Sequence, residues 1–128
     1  MVLIQRAPIR RHGVEGVDIT VKSALGPARD FAPTWDMVMG SKQGKLSWDE
    51  YTQQYYALLD DLESESWDWL YNRADRKVLT VLCYCPDGKK CHTYLLMDYV
   101  CDKFPDRFFS IMYTKDDFDN SEEEYPGE

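Results

Sequence analysis

The chain has 128 residues and a mass of 15.0 kDa, and its 15 basic against 23 acidic side chains set a net charge of −8 and a pI near 4.7. This length implies one domain, and a composition 44% hydrophobic and 14% aromatic supplies a core and excludes global disorder. Such acidity excludes coating nucleic acid by phosphate neutralisation, and no apolar run approaches the ~20 residues of a membrane helix.

The N-terminus, MVLIQRAPIRRHG, places its basic residues after a short apolar patch, the reverse of a secretory signal, so we expect a soluble, cytoplasmic protein. Val2 to Gln5 starts a short strand, and a basic stretch follows at Arg6, Arg10, Arg11 and His12. Gly16 to Lys22 alternates apolar and polar residues, with β-branched side chains, which predicts a second strand. Ser23 to Asp30, with Gly26 and Pro27, reads as a loop. Thr34 caps a short helix from Trp35 to Met39, with Gly40 at its end.

Ser47-Trp48-Asp49-Glu50 is a capping box opening an amphipathic helix, in which Trp48, Tyr51, Tyr55, Leu58, Leu59 and Leu62 share one stripe. Ser64 to Arg73 predicts another helix, with Trp67 and Leu70 on one side. Lys77 to Tyr84 is a near-continuous apolar run, the signature of a strand buried on both faces of a parallel sheet. Pro86-Asp87-Gly88 forms a turn. A helix runs from Cys91 to Phe104, with Leu96, Met97, Val100, Cys101 and Phe104 facing inward, and Phe108 to Tyr113 is a last aromatic strand. Strands alternating with helices predict an α/β fold: one compact domain over residues 1–115, with a parallel or mixed sheet flanked by helices in a Rossmann-like three-layer arrangement. Residues 116–128 hold seven acids and no base, which leaves the body near neutral and predicts a disordered acidic tail.

The four cysteines are Cys83, Cys85, Cys91 and Cys101, three of them within nine residues. That clustering differs from the spread of a disulfide-framed secreted domain. Cys83 to His92 joins the apolar strand to the next helix, and sites in α/β sheets form outside the carboxyl ends of strands. A helix N-terminus there attracts anions, and Lys89 and Lys90 add charge. Three chemistries fit this junction besides a purely structural role. Cys85 or Cys91 serves as a thiol nucleophile, with His92 as acid/base and Lys22 as an anion clamp. Cys83, Cys85, Cys91 and His92 hold zinc. The backbone amides, His92 and a lysine bind an anionic small molecule without covalent chemistry.

Several segments together resemble the domain-of-unknown-function family numbered 488, particularly its phage and prophage members. They are Val17-Asp18-Ile19-Thr20-Val21-Lys22-Ser23, Phe31-Ala32-Pro33-Thr34-Trp35, Trp48-Asp49-Glu50-Tyr51 with Tyr55, Leu79 to Cys85, and Cys91-His92. In that family a Cys-His-Arg triplet opens the helix after the central strand; here Thr93 stands in the arginine's place. The resemblance implies a compact α/β domain and no known reaction. It also groups three segments at one sheet edge. Lys22 and Ser23 supply a cation and a hydroxyl, and Thr34 opens the helix that carries Trp35. Trp35, Tyr51 and Tyr55 supply an aromatic wall. The expected function is therefore binding, with or without transformation, of a nucleotide-derived or other phosphorylated small molecule. The alternative is an acidic interaction or inhibitor protein that acts on a host partner and has a structural cysteine junction.

Overall fold

The structure is a computed structural model that describes residues 1–9, 14–85 and 90–111. Its strands are β1 (Val2–Pro8), β2 (Val17–Asp18), β3 (Val78–Cys83) and β4 (Phe108–Phe109). They form one sheet in the order β2-β3-β1-β4, and every pairing is parallel. The α/β expectation is met, and of the two sheet types left open the parallel one is found. The helices are α1 (Trp35–Lys42), α2 (Trp48–Asp60), α3 (Ser64–Tyr71) and α4 (His92–Lys103), with a 3-10 helix at Gly26–Phe31 in the stretch read as a loop. No described helix is long and apolar enough to cross a membrane. Arg10, Arg11, His12, the Pro86-Asp87-Gly88 turn, Lys89, Tyr113 and the acidic stretch 116–128 lie outside the described residues.

Period-two alternation in β1 points Val2, Ile4 and Arg6 to one face, where all three are buried. This face, with Leu79, Val81 and Cys83 of β3, packs against α4. The opposite face carries Leu3, Gln5, Val78 and Thr80, which are only half-buried. The apolar run of β3 is therefore buried along its whole length on one face, and among described positions on the other face only at Leu82.

Local chemistry explains where elements stop. The strand expected over Gly16 to Lys22 ends at Asp18. The Asp18 carboxylate accepts bonds from Thr20 N (2.9 Å), Thr20 Oγ1 (2.8 Å) and the Ser23 hydroxyl, which folds the chain into a turn. A side chain at Gly16 would collide with the Thr80 carbonyl, so glycine lets β2 approach β3. Thr34 caps α1 through Met37 N (3.1 Å), but the helix runs past Gly40 to Lys42. Gly40 instead makes room for Leu46, whose Cβ would lie 3.3 Å from an added methyl group. The capping box of α2 forms in both directions: Glu50 N donates to Ser47 Oγ (3.1 Å) and Ser47 N donates to Glu50 Oε1 (2.9 Å). Tyr51, Tyr55 and Leu59 from its stripe are fully buried, and α2 packs on α4. Trp67 of α3 stacks on Tyr99 (5.4 Å) and meets Phe31 edge-on (5.3 Å), which ties α3 to α4 and the 3-10 helix.

Candidate functional site

The ends of β1, β2 and β3 and the start of α4 meet at one edge of the sheet, as their parallel pairing requires. In register, Arg6 lies opposite Val81 and Pro8 opposite Cys83. Cys91 is the N-cap of α4, with extended backbone (φ −159°, ψ 147°). The positive end of the helix dipole therefore falls at its thiol.

At this edge three thiols surround a buried guanidinium. The sulfurs of Cys83, Cys85 and Cys91 all lie within 4.8 Å of one another, and those of Cys83 and Cys91 are 3.1 Å apart. Arg6 is only 2% exposed. Its Nη2 donates to Cys83 Sγ (2.5 Å) and to the Cys85 carbonyl (2.6 Å), and its Nε donates to Thr93 Oγ1 (3.2 Å). The guanidinium also lies over the Tyr94 ring at 5.2 Å. Thr93, in the first turn of α4, thus accepts a bond from an arginine of β1.

His92 is fully buried beside these groups. Its Nε2 lies 2.7 Å from the Ile19 carbonyl, which can only accept, so the proton sits on Nε2. Nδ1 then turns its lone pair toward Cys91 Sγ at 3.6 Å. The Tyr55 ring meets the imidazole edge-on at 5.6 Å. Burial lowers the His92 pKa, against the opposing pull of the Cys83 charge and the Ile19 carbonyl, and keeps the ring neutral.

The electrostatics separate the three thiols. Burial pushes Cys91 up, but its hydrogen bonds with Cys83 and Cys85, the Arg6 charge and the Thr93 hydroxyl outweigh it and shift the thiol downward. The hydrogen bond to Cys83, then that to Cys91 and burial, push Cys85 strongly up. Cys83 is lowered by its bond to Cys85, yet its bond to Cys91 and its burial leave it raised. Burial works against the Arg6 charge, but Cys83, Cys91 and Tyr94 hold the guanidinium protonated. The arrangement is three clustered thiols beside one buried cation, which bonds Cys83 directly. Cys85 is half-buried and gives the centre its solvent contact.

The other sequence candidates separate into groups. Lys22 and Ser23 lie beside Tyr84: the Lys22 ammonium is 5.7 Å from the Tyr84 ring centroid, and Ser23 Oγ is 2.9 Å from the Tyr84 hydroxyl. Asp18 and Ser23, with Leu25, Trp69 and Arg73, line a separate cavity of ≈ 320 Å³. Lys90 is buried, with its ammonium 6.0 Å from the Trp48 ring. Tyr51 and Tyr55 are fully buried in the core. Tyr55 donates to the Phe31 carbonyl (2.6 Å), whereas the buried Tyr51 hydroxyl has no hydrogen-bond partner among the described residues. Thr34 is occupied by its cap, and Trp35 is 49% exposed at the start of α1. The three sulfurs form the metal-competent cluster, and His92 Nδ1 lies beside it, 3.6 Å from Cys91 Sγ, while Nε2 bonds Ile19.

Sequence reasoning passed over Arg6 as one member of a basic stretch. The missed signal is its parity: it follows Val2 and Ile4 at period two and so belongs on the core face of the strand, where a lone charge needs partners. Trp48, in the first turn of α2, is half-buried, stacks on Tyr51 (5.7 Å) and meets Lys90.

Residues 6–103 match the family model DUF488-N3a, described as the active DUF488-N3 subclade. That span begins at Arg6 and contains the whole thiol centre, and the chain belongs to this family. Comparison with curated proteins and with solved structures found no match.

Proposed function

We propose that this chain is a thiol-dependent enzyme acting on a small anionic molecule, with the phosphorylated, nucleotide-derived class as the preferred substrate. The observation that carries this reading is the Arg6 guanidinium, buried and aimed at Cys83 Sγ, with Cys91 Sγ 3.1 Å beyond it. A buried cation among thiols, at the strand ends of a parallel sheet and the start of a helix, stabilises a thiolate where ligands bind. Cys91 is the nucleophile: its sulfur donates an electron pair to an electrophilic centre, and the leaving group departs with the broken bond's pair and takes a proton from water. His92 is the acid/base partner through Nδ1, since its Nε2–H is committed to Ile19. The substrate enters by way of Cys85. Lys90 and the first amides of α4 attract its anionic group, and Trp48 takes the place of the aromatic wall expected at Tyr51, Tyr55 and Trp35. A cytoplasmic setting keeps such thiols reduced.

The test is alkylation of the folded chain by iodoacetamide at neutral pH, mapped by mass spectrometry, with and without a nucleotide panel. The centre should react well ahead of the half-buried Cys101, and a bound nucleotide should protect it. A ligand at 100-fold over its dissociation constant also adds about 2.7 kcal/mol of stability. Reaction of Cys101 at the same rate as the centre would remove the nucleophile. Absence of both protection and stabilisation by every nucleotide would remove the substrate class.

A further inference from the structure

We propose that Cys83, Cys85 and Cys91 also bind one zinc ion through three thiolates, with the fourth coordination position left to an exogenous ligand. This builds on the reading of the three cysteines as one thiol centre and assigns that centre a regulating ion. Tetrahedral zinc sites have metal–sulfur bonds near 2.3 Å, so their sulfurs stand about 3.8 Å apart. Here Cys83 and Cys91 are separated by 3.1 Å and no pair exceeds 4.8 Å, so side-chain adjustments of about an ångström complete the triangle. The backbone holds this triangle at two points, because Cys83 ends β3 and Cys91 caps α4. Thiolates favour soft, filled-shell ions such as zinc over hard ones.

The surroundings fit the charge. Three thiolates on a divalent ion leave one net negative charge, and the Arg6 Nη2 bond to Cys83 Sγ lies where that excess is offset. The Tyr51 hydroxyl is fully buried and has no hydrogen-bond partner among the described residues. Three protein ligands and an open position distinguish this site from a closed four-ligand structural one. Bound zinc ties up the electron pairs of the sulfurs, so the metal-loaded state is the chemically silent state of the thiols.

Titration of the reduced full chain with Co²⁺ tests this. One equivalent should bind, with a sulfur-to-cobalt charge-transfer band that Zn²⁺ abolishes. Cys85→Ser, at a half-buried position, should weaken Zn²⁺ binding about tenfold or more and remove about a third of the band intensity. Cys101→Ser should change neither. Zinc loading should slow alkylation of the centre, and a chelator should restore it. No charge-transfer band, or a band that survives Cys85→Ser undiminished, overturns the zinc site. If metal binding fails while the centre still alkylates ahead of Cys101, only the zinc proposal falls. If cobalt binds but the metal-free thiols are inert, only the nucleophile reading falls.

Discussion

Replacement of Arg6 by methionine separates the structural role of the guanidinium from its chemical one. Methionine keeps much of the apolar stem and removes the charge and all donors. The Cys85 carbonyl and the Thr93 hydroxyl each lose a donor, and the centre loses the cation facing Cys83. Removing one partner from a buried charged network costs about 3–5 kcal/mol, a large share of the roughly 5–15 kcal/mol typical of a domain. The chemical effect is separate. The guanidinium nitrogen lies within about 5.6 Å of Cys91 Sγ, the greatest separation its contact with Cys83 and the Cys83–Cys91 contact allow. At that distance and an effective dielectric of about 20, the Coulomb energy is about 3 kcal/mol, or about a hundredfold in the ratio of thiolate to thiol. Two measurements on one variant read the two effects. Urea unfolding, followed by the fluorescence of the four tryptophans, should show the loss of stability. Alkylation at neutral pH, under conditions where the variant is folded, should slow at the centre and not at Cys101. Arg6→Lys should recover much of the thiol reactivity and less of the stability, since an ammonium cannot span the three acceptors as the planar fork does. If Arg6→Met unfolds at the wild-type midpoint and alkylates at the wild-type rate, the guanidinium neither satisfies the junction nor holds a thiolate.

Four further outcomes follow from the packing. Tyr55→Phe should cost about 1–3 kcal/mol by orphaning the Phe31 carbonyl, whereas Tyr51→Phe should be neutral or stabilising in the metal-free chain; thermal unfolding compares the two. Ser47→Ala should cost about 1 kcal/mol through loss of the α2 cap, read by the same method. The hydrogen bond from Ser47 N lowers the Glu50 pKa, so the contribution of this carboxylate is complete above the ordinary carboxyl value of 4.5 and fades as pH falls through the lowered one; the difference between wild type and Glu50→Gln should be present at neutral pH and vanish in acid. Arg76 and Lys77 hold φ of 53° and 67° in the turn that leads into β3, so Arg76→Asn with Lys77→Gly should raise the stability by about 1 kcal/mol; an unchanged or lower melting temperature would show that the turn carries no such strain.

Much of the fold was legible because short-range chemistry specified it. The capping box of α2, the Thr34 cap of α1, the buried run of β3 and the proline after α4 each depend on neighbours a few residues away. Boundaries were less legible where a side chain competed with the backbone. Asp18 ends β2 by bonding Thr20 and Ser23, and Gly40 does not end α1 because its lack of a side chain serves Leu46. The site was half legible. Cysteine spacing marked Cys83 to His92, because those residues share one strand end and one helix start.

By itself, then, the sequence determined an α/β class, the helix starts and the segment where chemistry would concentrate, since each is written in periodicity, caps and local composition. Only the tertiary structure decided the strand order, and with it which distant residues meet. Pairing β1 beside β3 brings Arg6 to thiols that lie 77 and more positions away, and Thr93, 87 positions on, becomes its acceptor. Packing α2 on α4 buries Tyr51 and Tyr55 completely. A local pattern shows that a residue faces inward; the residue it faces there depends on contacts that close only when the whole chain is folded.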